Sequence, residues 1–364
     1  MDLNYPPELE AFADEVRAYV QAELPEEVKI KVLDGRTIER EERIDWQRKM
    51  CAKGWAAPEW PMEYGGTGWD ELKRHVFNEV MSDEGAPAPV PFGQAMLAPV
   101  LFGVGTQEQK DHYLPRILTL EYFFCQGYSE PGSGSDLASL KTRAELNGDE
   151  WVINGQKMWT SWAHQANMIF LLAKTDPDAA KPQEGISMLI FPLDTPGIEI
   201  RPIITLAGEH HVNEVFFDDV RIPKNCIIGE PNLGWTYAKT LLGHERTNIA
   251  RIGQSKRELR RLKALANHIV VDGAPLMAQA NFKSKVAALE VELMGAEISN
   301  LRMLADTQRN APGFEANMLK IKGSEIQQTL TELVLDALGP ESLRFDRSVT
   351  GENNPENIFD TDYA

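Results

Sequence analysis

Cysteine is scarce in this 364-residue chain, which has only three. Cys51, Cys125 and Cys226 are widely spaced and form no CxxC pair. That pattern excludes a disulfide framework and leads to the expectation of reduced thiols in a cytoplasmic protein. Histidine is thin as well. His75, His112, His164, His210, His211, His244 and His268 are scattered, with no HxxxH helix and no His/Cys cluster, so no metal centre is expected. Basic residues are the minority, 37 Lys and Arg against 55 Asp and Glu, for a net charge of −18. Nucleic acid is disfavoured as a partner, because phosphate backbones are bound by basic surface. An anionic small ligand remains compatible, since one arginine or one helix N-terminus can hold phosphate. No apolar run approaches the roughly 20 residues of a membrane span. The opening Met1-Asp-Leu-Asn-Tyr-Pro-Pro has neither the basic nor the apolar part of a secretory signal. Also missing are a GxGxxG inside a βα unit, a P-loop ending in GK[ST] and a GxSxG nucleophile elbow.

What is present is an ordinary globular balance, 43% hydrophobic and 25% charged. The length exceeds what one core organises, and the pattern divides in three. Residues 1–121 read as helical: Leu9, Phe12, Val16 and Val20 recur at helical spacing, and Pro25 closes that helix. A loop follows from Trp55 through Gly68, and helix returns over Gln107–Leu120. Residues 122–230 change to short β-rich runs at Met168–Ala173, Ile186–Phe191, Ile198–Ile204 and Glu214–Ile222. No helical pattern lies between them, which predicts an antiparallel barrel or sandwich and not a parallel βαβ sheet. Asn154-Gly155 within Trp151–Met158 predicts a hairpin turn. Residues 231–364 return to long helices over Gly234–Ala266, Asn281–Asn310 and Gly313–Leu338, expected to pack as an antiparallel bundle with one face toward another subunit. The fold class is therefore α+β multidomain: helical domain, antiparallel β-barrel or sandwich, helical bundle.

Two stretches carry chemistry. Gln126-Gly-Tyr-Ser-Glu-Pro-Gly-Ser-Gly-Ser135-Asp136 is a turn of small hydroxyl residues that backbone and ligand can share closely. Asn154-Gly-Gln-Lys-Met-Trp159-Thr160-Ser161 follows within two dozen residues and sets a tryptophan beside two hydroxyls. Together they describe a pocket for a flat, hydrogen-bonding ring. Further on, Glu245-Arg246 lies within an apolar helical stretch containing Leu241, Leu242, Ile249 and Ile252. A carboxylate in a desolvated pocket has a raised pKa and can act as a base on a weakly acidic C–H; a helix salt bridge is the alternative. Lys256, Arg257, Arg260 and Arg261 form a basic patch that reads as a solvated helix face.

These residues, in this order, resemble the acyl-CoA dehydrogenase family over essentially the whole chain. Glu59-Trp-Pro-Met-Glu-Tyr-Gly-Gly-Thr-Gly-Trp69, Cys125-Gln-Gly-Tyr-Ser-Glu-Pro, Pro202-Ile-Ile-Thr and Leu241-Leu-Gly-His-Glu-Arg-Thr are similar to the large subunit of pimeloyl-CoA dehydrogenase-like enzymes. The resemblance implies FAD as cofactor, an acyl-CoA substrate oxidised to a trans-2-enoyl-CoA, and an electron-transfer flavoprotein as acceptor. It implies that Gln126, Tyr128, Ser129, Gly134, Ser135, Trp159, Thr160 and Ser161 line the flavin. It implies that Ser135, His244 and Arg246 meet the substrate, and that Glu245 is the catalytic base.

Three departures stand against the family pattern. The Arg-x-x-Phe-Gly segment that reaches a neighbour's FAD is missing from Ala264–Phe282. The Gln-x-x-Gly-Gly contact is replaced around Asp336-Ala-Leu-Gly-Pro-Glu. No Tyr-Gly-Gly-type segment precedes Ala364. The first two lead to the expectation of a tetramer, either a homotetramer whose FAD contacts have moved or an α2β2 assembly in which a paralogous small subunit supplies them. The rival readings are an acyl-CoA oxidase, a flavin monooxygenase of the same fold, and a non-catalytic or half-site subunit. The acyl group, straight-chain, dicarboxylic or ring-bearing, is not legible.

Overall fold

The computed structural model describes residues 5–208, 210–244, 250–305 and 314–343. Six α-helices come first: α1 (Pro7–Glu23), α2 (Glu26–Asp34), α3 (Arg40–Lys53), α4 (Glu71–Asp83), α5 (Ala98–Val104) and α6 (Gln107–Leu118). Their ends follow from sequence. Gly35 and Gly54 close α2 and α3 in the left-handed conformation, and Thr106 caps α6 in a capping box with Gln109. Phe12, Val16, Val20, Trp46, Trp55 and Phe77 meet in one buried cluster. Trp55 and Trp60, in the loop between α3 and α4, are both buried, and each anchors its turn. Preceding α5 is a π-helix over Phe92–Leu97, a rare geometry that tends to occur at functional sites.

The central sheet contains β1 (Phe124–Gly127), β2 (Arg143–Asn147), β3 (Glu150–Ser161), β4 (Met168–Lys174), β5 (Ile186–Pro192), β6 (Ile198–Ile204), β7 (His210–Pro223) and β8 (Ile227–Ile228). Strand order is β6-β7-β3-β2-β4-β5-β8, with β1 added onto β4. The sheet is not closed into a barrel, and it is mixed: β1 and β2 both pair with β4 in parallel. The expectation of a purely antiparallel sheet failed because the connection from β1 to β4 is made by a β-hairpin, where parallel crossovers usually use a helix. The uninterrupted apolar run of β4 was the available signal. Met168, Phe170 and Leu172 face a helical layer formed by α5, α6 and the π-helix. Ile169, Leu171 and Ala173 face the other half of the sheet, including Ile153, Val215 and Phe217. A strand buried on both faces needs no polar alternation.

A second correction concerns Asn154-Gly155, which is not a turn. The tight turn is at Gly148-Asp149, between Asn147 and its partner Glu150. Asn154 and Gly155 lie inside β3, where the register to β7 shifts. Asn154 exchanges hydrogen bonds of 3.0 Å with the side chain and backbone N–H of Asp219 across that irregularity. Gly155 has φ 152°, and a Cβ there would stand 2.5 Å from Thr142 Oγ1. Glycine is required by close approach.

After the sheet come α7 (Gly234–His244), α8 (Ile252–His268), α9 (Ala280–Ala305) and α10 (Phe314–Leu338). The span expected as one helix from Gly234 is thus two helices, and Arg251 at the start of α8 has φ 47°. Leu259, Leu262, Val286, Leu289, Leu330 and Leu333 form the core of α8–α10. The basic patch on α8 is not a solvated face. Lys256 Nζ lies 2.6 Å from Glu79 and 2.8 Å from Glu297. Arg257 donates to Ser82 O at 2.7 Å, Arg260 pairs with Asp83, and Arg261 reaches Leu33 O. These groups clasp α8 to α2 and α4. Periodicity could not show this, because the partners lie 41 to 228 residues away.

Candidate active site

The two motifs are brought together by a buried ion pair that the sequence reading passed over. Lys157 of β3 is fully buried, and its ammonium donates to Glu130 Oε1 at 2.8 Å and to Tyr128 O at 3.0 Å. Glu130 also accepts from the backbone N–H groups of Lys141 and Thr142, at 2.6 and 2.9 Å. Burial raises the Glu130 carboxyl, but Lys157 and these donors outweigh it and hold it below the usual carboxylate range. Burial pulls the Lys157 ammonium down, with the Glu130 carboxylate limiting the fall. Met158 N–H donates to Ser129 O at 2.8 Å, completing the seam. Both charged residues were visible inside the motifs. What betrays them is Lys157 at an inward position of a strand beside Trp151 and Ile153.

With the seam closed, the small-residue loop and the end of β3 form one surface. Ser129 and Gln126 are half-buried, Tyr128 is buried, and Gly134 and Ser135 are exposed. A Cβ on Gly134 would meet nothing within 4 Å, so packing within the chain does not demand glycine there. Trp159 is 55% exposed with φ 63°, at a second register shift between β3 and β7. A bulky residue in the left-handed region costs on the order of 1–3 kcal/mol, and such strain gathers at functional positions. The bulge turns the indole out of the sheet instead of into its core. Thr160 is buried, and its Oγ1 has no hydrogen-bond partner among the described residues. Ser161 is half-buried opposite Val212.

The π-helix packs between β1 and α7. It carries Gln94, which is buried, donates to Ala56 O in the loop between α3 and α4, and has an Oε1 unpartnered among the described residues. No sequence signal marked it. Of the predicted substrate and base residues, Glu245 and Arg246 lie outside the described residues. His244 is the last residue of α7, and its side chain lies outside them too.

One group of metal-type ligands occurs among the described residues, His75, Glu79 and Glu297, with ligand atoms within 4.8 Å of one another. The Lys256 ammonium already bridges both carboxylates there. No described helix is long and apolar enough to cross a membrane.

Comparison with known proteins covers nearly the whole chain. The acyl-CoA dehydrogenase N-terminal domain model matches residues 6–121, the middle domain model residues 125–220 and the C-terminal domain model residues 232–359. Acyl-CoA dehydrogenase IpdE1 of Mycobacterium tuberculosis is 37% identical over 340 residues, 91% of this chain and 86% of that protein. Among solved structures, the Tcur3481-Tcur3483 steroid ACAD superimposes with TM-score 0.82 at 32% identity, over 95% of this chain and 88% of that one. The ChsE4-ChsE5 complex from Mycobacterium tuberculosis gives TM-score 0.82 at 30% identity, over 96% and 91%.

Proposed function

The chain belongs to the acyl-CoA dehydrogenase family, an oxidoreductase family, and we propose that it performs FAD-dependent α,β-dehydrogenation of an acyl-CoA thioester to the trans-2-enoyl-CoA. The observation that carries this reading is the single surface made when Glu130–Lys157 joins the loop of Ser129 to the bulge of Trp159. That surface fits a flavin. It offers an exposed indole face, an unpartnered buried hydroxyl on Thr160, and a glycine at 134 whose absent side chain leaves room that the chain itself does not use. FAD, when bound, takes up the β-hydrogen as hydride. Gln126, Tyr128, Ser129, Gly134 and Ser135, with Trp159, Thr160 and Ser161, would hold its ring and exclude water from it. Glu245 removes the α-proton as general base, and Ser135, His244 and Arg246 hold the CoA ester.

The family resemblance and the two-protein names of the similar solved structures support an α2β2 arrangement with a paralogous small subunit, electrons leaving to an electron-transfer flavoprotein. Exposed apolar side chains on α9 and α10, among them Val291, Met294 and Ile321, support subunit packing there. The steroid named for one similar structure favours a bulky ring-bearing acyl group over a straight chain. The test is co-expression with a candidate paralogous small subunit, a flavin-to-subunit ratio and an acyl-CoA panel. Glu245→Gln is expected to keep FAD and lose about 10²–10⁴-fold in turnover; normal turnover would remove Glu245 as the base. Purification of this chain alone as a flavin-saturated homotetramer would remove the heteromeric arrangement.

A further inference from the structure

Behind the bulge of Trp159 lies a small polar knot centred on Asn213 of β7. Asn213 stands opposite Thr160 in register and is fully buried. Its amide nitrogen is 3.0 Å from Thr160 O and 3.1 Å from His164 Nδ1, and its Oδ1 is 2.7 Å from His210 Nε2. A carbonyl can only accept, so the amide NH2 must face Thr160, and Oδ1 therefore faces His210. Two tautomers follow. His164 Nδ1 accepts the second amide hydrogen and is unprotonated; His210 Nε2 donates and carries a hydrogen. The two imidazoles stack, centroids 4.0 Å apart at 28°. Among the described residues, the titratable groups facing His164 are His210 and His211, both on β7.

We infer that Asn213 is a positioning residue for Trp159–Ser161, and that protonation of His164 releases it. This rests on reading that segment as the flavin wall. A proton on His164 Nδ1 sets an N–H against the amide N–H. Turning the amide over would then oppose Oδ1 to the Thr160 carbonyl, and moving His164 away would undo the stack. Turning the amide loses the bond that holds Thr160, and moving His164 removes the partner that fixes the amide's orientation. Thr160 directly follows Trp159, whose left-handed backbone persists only while its surroundings over-determine it. Partial burial first, with the neighbouring His210 and His211 rings adding to it, keeps His164 below the ordinary histidine value, against the opposing effect of Asn213. The latch is therefore closed at neutral pH and opens as pH falls below about 6.5. His164 is exposed at the surface, so protons reach it.

The test is the visible flavin spectrum of the holoenzyme from about pH 5 to 8, for wild type, His164→Phe and Asn213→Asp. Wild type is expected to show a one-proton step below about pH 6.5. His164→Phe should lose the step. Asn213→Asp is isosteric, and as a carboxylate it cannot donate to Thr160 O; while ionised it should show the low-pH spectrum and bind flavin about tenfold more weakly, the loss of one hydrogen bond. A wild-type spectrum without the step, or wild-type spectrum and affinity in Asn213→Asp, overturns the inference. A wild-type complex without flavin overturns the functional reading instead. In that event, nitrogen-15 spectra of labelled histidines in the flavin-free chain still decide the latch. His164 with its hydrogen on Nε2 supports it, and with the hydrogen on Nδ1 refutes it.

Discussion

Replacing Lys157 with methionine should remove the seam that joins the two halves of the candidate site. The lysine is fully buried, and its ammonium serves two acceptors, Glu130 Oε1 and Tyr128 O. Methionine fills most of the volume but leaves the Glu130 carboxylate buried with only two backbone N–H partners. Truncating one member of a buried pair costs about 3–5 kcal/mol, most of it the uncompensated charge. At about 2.1 cal/mol/K per residue, the unfolding entropy of this chain is about 0.76 kcal/mol/K, so calorimetry should show the midpoint falling by about 4–7 °C. Removing both charges with Glu130→Met/Lys157→Met should cost less than the sum of the single changes, by about 0.5–3 kcal/mol, because the two residues are in contact. A Lys157→Met protein melting within a degree of wild type, or strictly additive single and double variants, would refute the seam.

Three more outcomes follow from the same geometry. The folded Glu130 carboxyl titrates below its ordinary value of 4.5, so its stabilising contribution is complete above 4.5 and is lost as pH falls through the lower folded value; in acid-unfolding curves Glu130→Gln should flatten that part of the profile. Trp159→Gly should raise the stability of the flavin-free protein by about 1 kcal/mol in denaturant titrations, by removing backbone strain, while weakening flavin binding about tenfold. Lys256→Met should destabilise by about 2 kcal/mol and speed hydrogen exchange in α4 and α8, because Glu79 and Glu297 then face each other without their cation.

Local chemistry made much of this protein readable. Helical spacing in α1 and α6, the capping box at Thr106 and the apolar runs of β4 and β5 are properties of neighbouring residues, and they survive folding unchanged. The two motifs were legible as stretches for the same reason, since small hydroxyl residues and a tryptophan fall within 36 positions, and the structure joins them through Glu130–Lys157. Asn154-Gly155 shows where local reasoning fails. The pair has the right chemistry for a turn, but Gly148-Asp149 took the turn, and the strand ran on through Asn154-Gly155. Only the pairing of β3 with β7 settles which of the two sites turns, and that pairing spans about 60 residues.

Sequence by itself determined the family and the succession of helical, β-rich and helical segments, because those depend on side-chain identity and short spacing. Tertiary structure alone decided what holds them in place. The Glu130–Lys157 pair, the clasp of α8 on α2 and α4, the π-helix beside β1 and the Asn213 knot behind Trp159 each join groups whose attraction exists only once solvent is excluded and distant strands or helices are aligned.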